Sequence, residues 1–221
     1  MSNQARAMSD HRVAILIRSE DSHLTPVEQD VPLTVLLEFS KEARRQLQTA
    51  TGKLRSPGKQ QLVLRGKTAT PFAVSYIISA MRHAYDTKTP LFLKEVKSLP
   101  FYKTLEIHLA ALTLDIDALS SNLALDIHEH IRKNPVTVIE MKTLWERFHI
   151  DSNISKTFLY NTERFVRNGN VLMDRDAIES YLDQHPELQE RLEETRQNVL
   201  RGNMAGVVGQ GPRHFNAQGR A

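Results

Sequence analysis

The chain has 221 residues, with 29 Lys and Arg against 26 Asp and Glu, a formal charge of +3. It contains no cysteine, which excludes a disulfide scaffold, a thiolate nucleophile, Cys-ligated zinc and an iron–sulfur cluster. A charged fraction of 25% and a hydrophobic fraction of 40% argue against wholesale disorder.

The longest apolar runs, such as Val13–Ile17, fall far short of the ~20 residues that span a bilayer. Met1–Asp10 is polar and lacks a signal-peptide core, and neither end carries a lipidation motif. A soluble intracellular protein with no membrane partner is expected, nuclear or cytoplasmic.

Residues 1–10 read as a disordered start. His11–Arg18 predicts a buried strand, and Ser22–Asp30 a second short strand that Pro26 places at a sheet edge. Pro32 suits a helix start. From Leu33 to about Ala50 the apolar positions Leu36, Phe39, Ala43, Leu47 and Ala50 share one helical face, and Thr51-Gly52 ends it. Lys53–Lys59 is a basic loop. Leu62–Leu64 is a short strand closed by Gly66.

Thr70 and Pro71 mark the N-cap and first residue of a helix whose apolar face is Val74, Ile77, Ile78, Met81 and Tyr85. Pro90–Leu93 reads as a brief extended segment. Tyr102, Leu105, Leu109 and Leu112 line the next helix, up to about Leu114. Asp115 is placed to cap the following one, with Ile116, Leu119, Leu123, Ile127 and Ile131 on one face and Asn134-Pro135 at its end. The tight connection predicts that these two helices form an antiparallel pair.

The last third is helical throughout. Thr137–Glu140 has capping-box spacing and is followed by Met141, Leu144 and Phe148. Asp151 or Ser152 opens a helix with Ile154, Phe158 and Phe165, which Asn168-Gly169 terminates. Asp174 reads as an N-cap with Met173 and Ile178 as a hydrophobic staple, and Pro186 starts a helix with Leu188, Leu192 and Val199. Residues 201–221 read as a disordered, glycine-rich tail; the final 20 residues hold five of the nine glycines.

In this order the chain resembles the BTB/POZ-like domain, in a divergent form found in many short fungal proteins. Val31–Ala43 is similar to the helix after the family's second strand. Leu62–Leu64 with Pro71–Tyr85 is similar to its later strand and the helix behind it, and Phe101–Leu119 to its closing helix pair. Asp176–Leu188 is similar to a helical extension that ends many of the fungal proteins. Pro32 stands near the site where better-known members carry an Asp-His-Lys style lead-in. The resemblance implies an α+β, mostly helical fold: a BTB/POZ-like core over 11–134 and a C-terminal helical extension over 135–200. It also implies a role in protein–protein interaction, as scaffold or adaptor, with self-association among the options.

No catalytic, cofactor or metal site is expected. His128 and His130 are two residues apart on a helical segment, about 200° around its axis, so they cannot share one ion from that helix. Asp115, Asp117, Asp174 and Asp176 read as helix N-terminal residues rather than carboxylate pairs. No phosphate-cradling glycine loop or nucleophile elbow is present. The chain is therefore read as no enzyme and without cofactors.

The charges are uneven. Eight basic residues lie between Lys41 and Lys67, opposed by Glu42 alone, and eight acidic residues lie between Asp174 and Glu194 against Arg175 and Arg191. The candidate interaction surface is Lys53, Arg55, Lys59, Arg65 and Lys67, together with Trp145 and Phe148 as partner anchors. An alternative reading makes the 41–67 segment a nucleic-acid contact of a transcription or chromatin regulator, though it has no aromatic residue for base stacking.

Overall fold

A computed structural model describes residues 11–55, 60–93, 96–167 and 175–201. Lys59, the Asn168-Gly169 stop, the Met173 and Asp174 positions, the first ten residues and the glycine-rich tail lie outside the described residues. The fold is α+β and mostly helical.

Strand β1 (Arg12–Arg18) is central in a three-stranded sheet of order β2-β1-β3 among the described residues, with β2 (Leu24–Pro32) antiparallel to it and β3 (Gln60–Arg65) parallel. Alternation sends Val13, Ile15 and Ile17 to the core, matched in register by Gln60, Leu62 and Leu64 of β3. Pro26 lies in β2, an edge strand where its missing N–H costs no ladder bond to a further strand. The pairing of β2 slips between Val13 and Leu16, which accommodates a bulge.

The helix expected from Leu33 to Ala50 is two helices, α1 (Leu33–Phe39) and α2 (Lys41–Leu47). The chain breaks at Ser40, which is extended; its side chain accepts a hydrogen bond from the Ala43 N–H at 3.0 Å and so caps α2. Pro32 is the last residue of β2 and immediately precedes α1. Gly52 has φ +76°, as a left-handed residue should, but it closes a turn on Thr49 rather than a helix end.

Helix α3 (Pro71–Thr87) begins as the sequence indicates, with Thr70 accepting from the Ala73 N–H and Pro71 in the first turn. It buries Val74, Ile77, Ile78 and Met81. Residues 90–93 form no strand. Helix α4 (Phe101–Thr113) packs chiefly against α3, not against the helix that follows it, because its buried side is Leu105, Ile107, His108 and Ala111; Leu112 is 52% exposed. Asp115 does not cap the next helix. It takes φ +53° and ends α4, with Asp115 N–H bonded to Leu112 O and Ile116 N–H to Ala111 O, a Schellman arrangement.

Helix α5 (Asp117–Lys133) sends Leu119 and Leu123 into the same core as the sheet and α3. Each fully buried leucine or isoleucine of that core contributes about 1.5–3 kcal/mol relative to exposure.

The contacts divide the chain into two units, through Ile127 and from His128 onward. In the second unit α6 (Val138–Arg147) opens with the complete Thr137–Glu140 capping box. Helix α7 (Asn153–Arg167) starts at Ser152, whose hydroxyl accepts from Ser155 N–H. Helices α8 (Arg175–Gln184) and α9 (Pro186–Leu200) follow, and α9 packs on α7 and α8 through a buried side that includes Leu188 and Leu192. Among the described residues no helix is long and apolar enough to cross a membrane.

Candidate functional site

The basic segment resolves into two kinds of residue. Four of its cations have partners within the chain. Lys41 pairs with Asp117, and Arg45 forms a two-pronged pair with Glu42 at 2.7 and 2.6 Å. Arg44 donates to the Leu37 and Glu38 carbonyls at the end of α1, and Arg55 donates to the Gln48 carbonyl. The Lys41 hydrogen bond holds the Asp117 carboxyl below its usual range, and that of Arg45 does the same for Glu42. Of the cations that the nucleic-acid reading of 41–67 draws on, Lys41, Arg44, Arg45 and Arg55 are engaged inside the fold, whereas Lys53, Arg65 and Lys67 are exposed.

Arg65 and Lys67 are exposed, at and just beyond the end of β3. The sheet brings Arg18 beside Arg65, its register partner. An open pocket of about 540 Å³ collects Arg18, Arg45, Arg65, Glu42, Thr68 and Thr113. Gly66 is required at its edge: a Cβ there would lie 2.7 Å from the Arg18 carbonyl oxygen, where Gly66 N–H already donates. Lys53 is exposed in the turn after α2, away from the residues that line this pocket.

A second concavity was not legible in the sequence. An open groove of about 970 Å³ runs along α3, lined by Phe72, Tyr76, Ala80, Ala84, Phe92 and Leu93, with Ser75, Ser79 and His83 among them. The lining positions 72, 76, 80, 83, 84 and 87 form a stripe at helical spacing, so α3 has an apolar core face and a second, half-apolar outward face. Phe92 is 65% exposed and Phe72 39%. Lys103 lies over the Phe72 ring at 4.5 Å. The signal missed was the pairing of Phe72, Tyr76 and Ala80 at four-residue steps, masked by the serines between them.

In the second unit, Trp145 is half-buried and Phe148 is 8% exposed, so the Phe148 ring belongs to the interior and not to a partner-facing surface. His128 and His130 are half-buried, and burial pushes both imidazoles below their usual value. Among the described residues no group of three His, Asp or Glu is placed to hold a metal ion.

Comparison with protein-family models, with curated proteins and with solved structures found no match to this chain.

Proposed function

We propose that the chain is a protein–protein interaction module of BTB/POZ-like type, acting as scaffold or adaptor without catalytic activity, and that it works as a soluble intracellular protein. The observation that carries this reading is the groove along α3: exposed Phe72 and half-buried Tyr76 on the helix, with exposed Phe92 from the segment that follows it. Aromatic side chains in a preformed concavity are the usual anchors of an interface core.

The element order adds support. Two strands, a helix pair, a third strand with a helix behind it, then α4 and α5 follow one another as in the family the sequence resembles, and a helical extension comes after them. The occupant of the groove is a polypeptide segment presenting apolar side chains, since the exposed lining is mostly apolar although hydroxyls and His83 lie along it.

Affinity purification of the full chain from native extract, paired with light scattering of the isolated protein, tests the reading. The expected result is a partner in stoichiometric amount, or a defined self-association. A monomer with no stoichiometric partner would overturn it.

A further inference from the structure

We propose that the pocket at the ends of β1 and β3 binds a phosphomonoester, carried by a phosphorylated serine or threonine of a polypeptide partner. The first observation is a like-charge pair. Arg18 and Arg65 are register partners on adjacent parallel strands, both exposed. Neither side chain has an ion pair or hydrogen bond among the described residues. Like charges side by side on a sheet face repel and destabilise it, so an anion between them is favoured.

The second observation is the charge of the lining. Three guanidiniums, Arg18, Arg45 and Arg65, face one carboxylate, Glu42, leaving an excess of two positive charges. Arg45 pairs directly with Glu42, on which Arg65 acts at longer range, and the forks of Arg18 and Arg65 are the ones available to a ligand. A phosphomonoester carries about −1.5 to −2 at neutral pH and three acceptor oxygens. A guanidinium meets two of those oxygens in a planar, bidentate fit that an ammonium cannot reproduce.

A nucleic-acid backbone is a poorer match. Its phosphodiesters carry one charge each, spaced along a line, and call for a stripe of cations; here Arg18, Arg45 and Arg65 line a single pocket. The Thr113 hydroxyl at the same place is engaged with Thr68 and the Leu109 carbonyl, each at 2.8 Å, whereas the Thr68 hydroxyl reaches the Arg65 carbonyl only at 3.4 Å and can turn its proton to an anion. The pocket is open, and its apolar residues Val63 and Leu64 do not enclose a free metabolite, so the phosphate arrives attached to a chain. That last step rests on the interaction-module reading; the anion chemistry does not.

The test uses the full chain, isotope-labelled, in chloride buffer of fixed ionic strength, with the backbone amides of Arg18, Arg65 and Gly66 as reporters in NMR titrations. The probes are the pentapeptide Gly-Gly-phosphoserine-Gly-Gly, its unphosphorylated twin, inorganic phosphate and a ten-residue oligothymidine. Saturable shifts are expected with the phosphopeptide and none with its twin. Arg18→Gln and Arg65→Gln should each weaken binding about tenfold or more, and Arg65→Lys by less. Retained thermal midpoints in chloride would show that the variants fold, since each relieves a repulsion.

No saturable response to the phosphopeptide, or an equal response to its twin, overturns the proposal. Inorganic phosphate binding as tightly as the peptide overturns the polypeptide source, and tighter binding of the oligonucleotide overturns the ligand class. Failure here leaves co-purification through the α3 groove unaffected, and failure there leaves this titration unaffected.

Discussion

Gln46 pairs with Val63 as a neighbouring strand would. Its side-chain amide donates to the Val63 carbonyl at 2.9 Å and accepts from the Val63 N–H at 3.1 Å. β3 lies at the edge of the sheet, where unpaired backbone groups are a template for association with another chain. One side chain of α2 closes that edge at its centre, and a further bond to Glu42 at 2.6 Å holds it in place.

Gln46→Ala therefore has two expected effects. Stability falls by about 1–2 kcal/mol through two lost hydrogen bonds to half-buried backbone groups, read by urea unfolding. Concentration-dependent self-association also appears, read by light scattering. A variant that stays as monodisperse as the parent would show that the edge is protected by something else.

Ser40 joins three elements. Its hydroxyl donates to the Leu114 carbonyl at 2.6 Å, accepts from the Ala43 N–H, and is fully buried. The N–H groups of Lys41 and Glu42 reach the Asp115 and Leu114 carbonyls, so the start of α2 and the end of α4 satisfy each other. Ser40→Ala should cost about 1–3 kcal/mol, from a lost cap and a weakened buried carbonyl partner. Ser40→Thr keeps the hydroxyl and should recover part of the loss. A denaturation midpoint unchanged in Ser40→Ala would refute this role.

Burial lowers the native pKa of His128, aided by Arg132, and of His130, against a smaller opposing pull from Glu140. Depressed histidines leave the unfolded state binding more protons, so their stability contribution is present above the unfolded value near 6.5 and is lost as pH falls through the lowered native values. Urea midpoints should drop between pH 7.5 and 5.5, and the drop should shrink in His128→Gln. An equal slope in parent and variant would contradict the assignment.

Tyr181 is 4% exposed, with its hydroxyl 3.3 Å from Glu146 Oε1. Burial first, and the Glu146 charge second, push its phenol up to about 12. The raised value means that this contribution is present below the unfolded value near 10 and is lost as pH rises through the native one. Alkaline absorbance titration should contain one late-ionising phenol that Tyr181→Phe removes; an identical curve for the variant would refute it.

The strands, the α3 start, the capping box at Thr137 and the core faces are legible because each rests on local chemistry: a short apolar run, a Thr-Pro pair, a Thr-x-x-Glu spacing, an apolar helical repeat. The break at Ser40 is not. The apolar repeat from Leu36 to Leu47 continues across it in helical phase, and the force that interrupts it comes from Leu114, far along the chain. Asp115 departs from the expected cap for a related reason: an aspartate between two helices serves as an N-cap or as a left-handed end, and the backbone of α4 decides which.

The basic stretch was visible as a charge count. Its division into engaged and free cations depends on Asp117 and on the parallel register that places Arg18 beside Arg65. Neither can be read from spacing within residues 41–67.

The α3 groove supplies the most direct test of the interaction reading. Phe72→Asp and Phe92→Asp place charge where a partner's apolar segment would be buried, and both side chains are exposed enough to change without disturbing the core. The measurement is the amount of stoichiometric partner, or of self-associated species, recovered with the double variant relative to the parent, alongside thermal midpoints for both. Recovery should fall at least about tenfold while the midpoint stays within a few degrees, since surface changes of this kind are nearly neutral for folding. Undiminished recovery from a folded double variant would contradict the claim that α3 carries the interface.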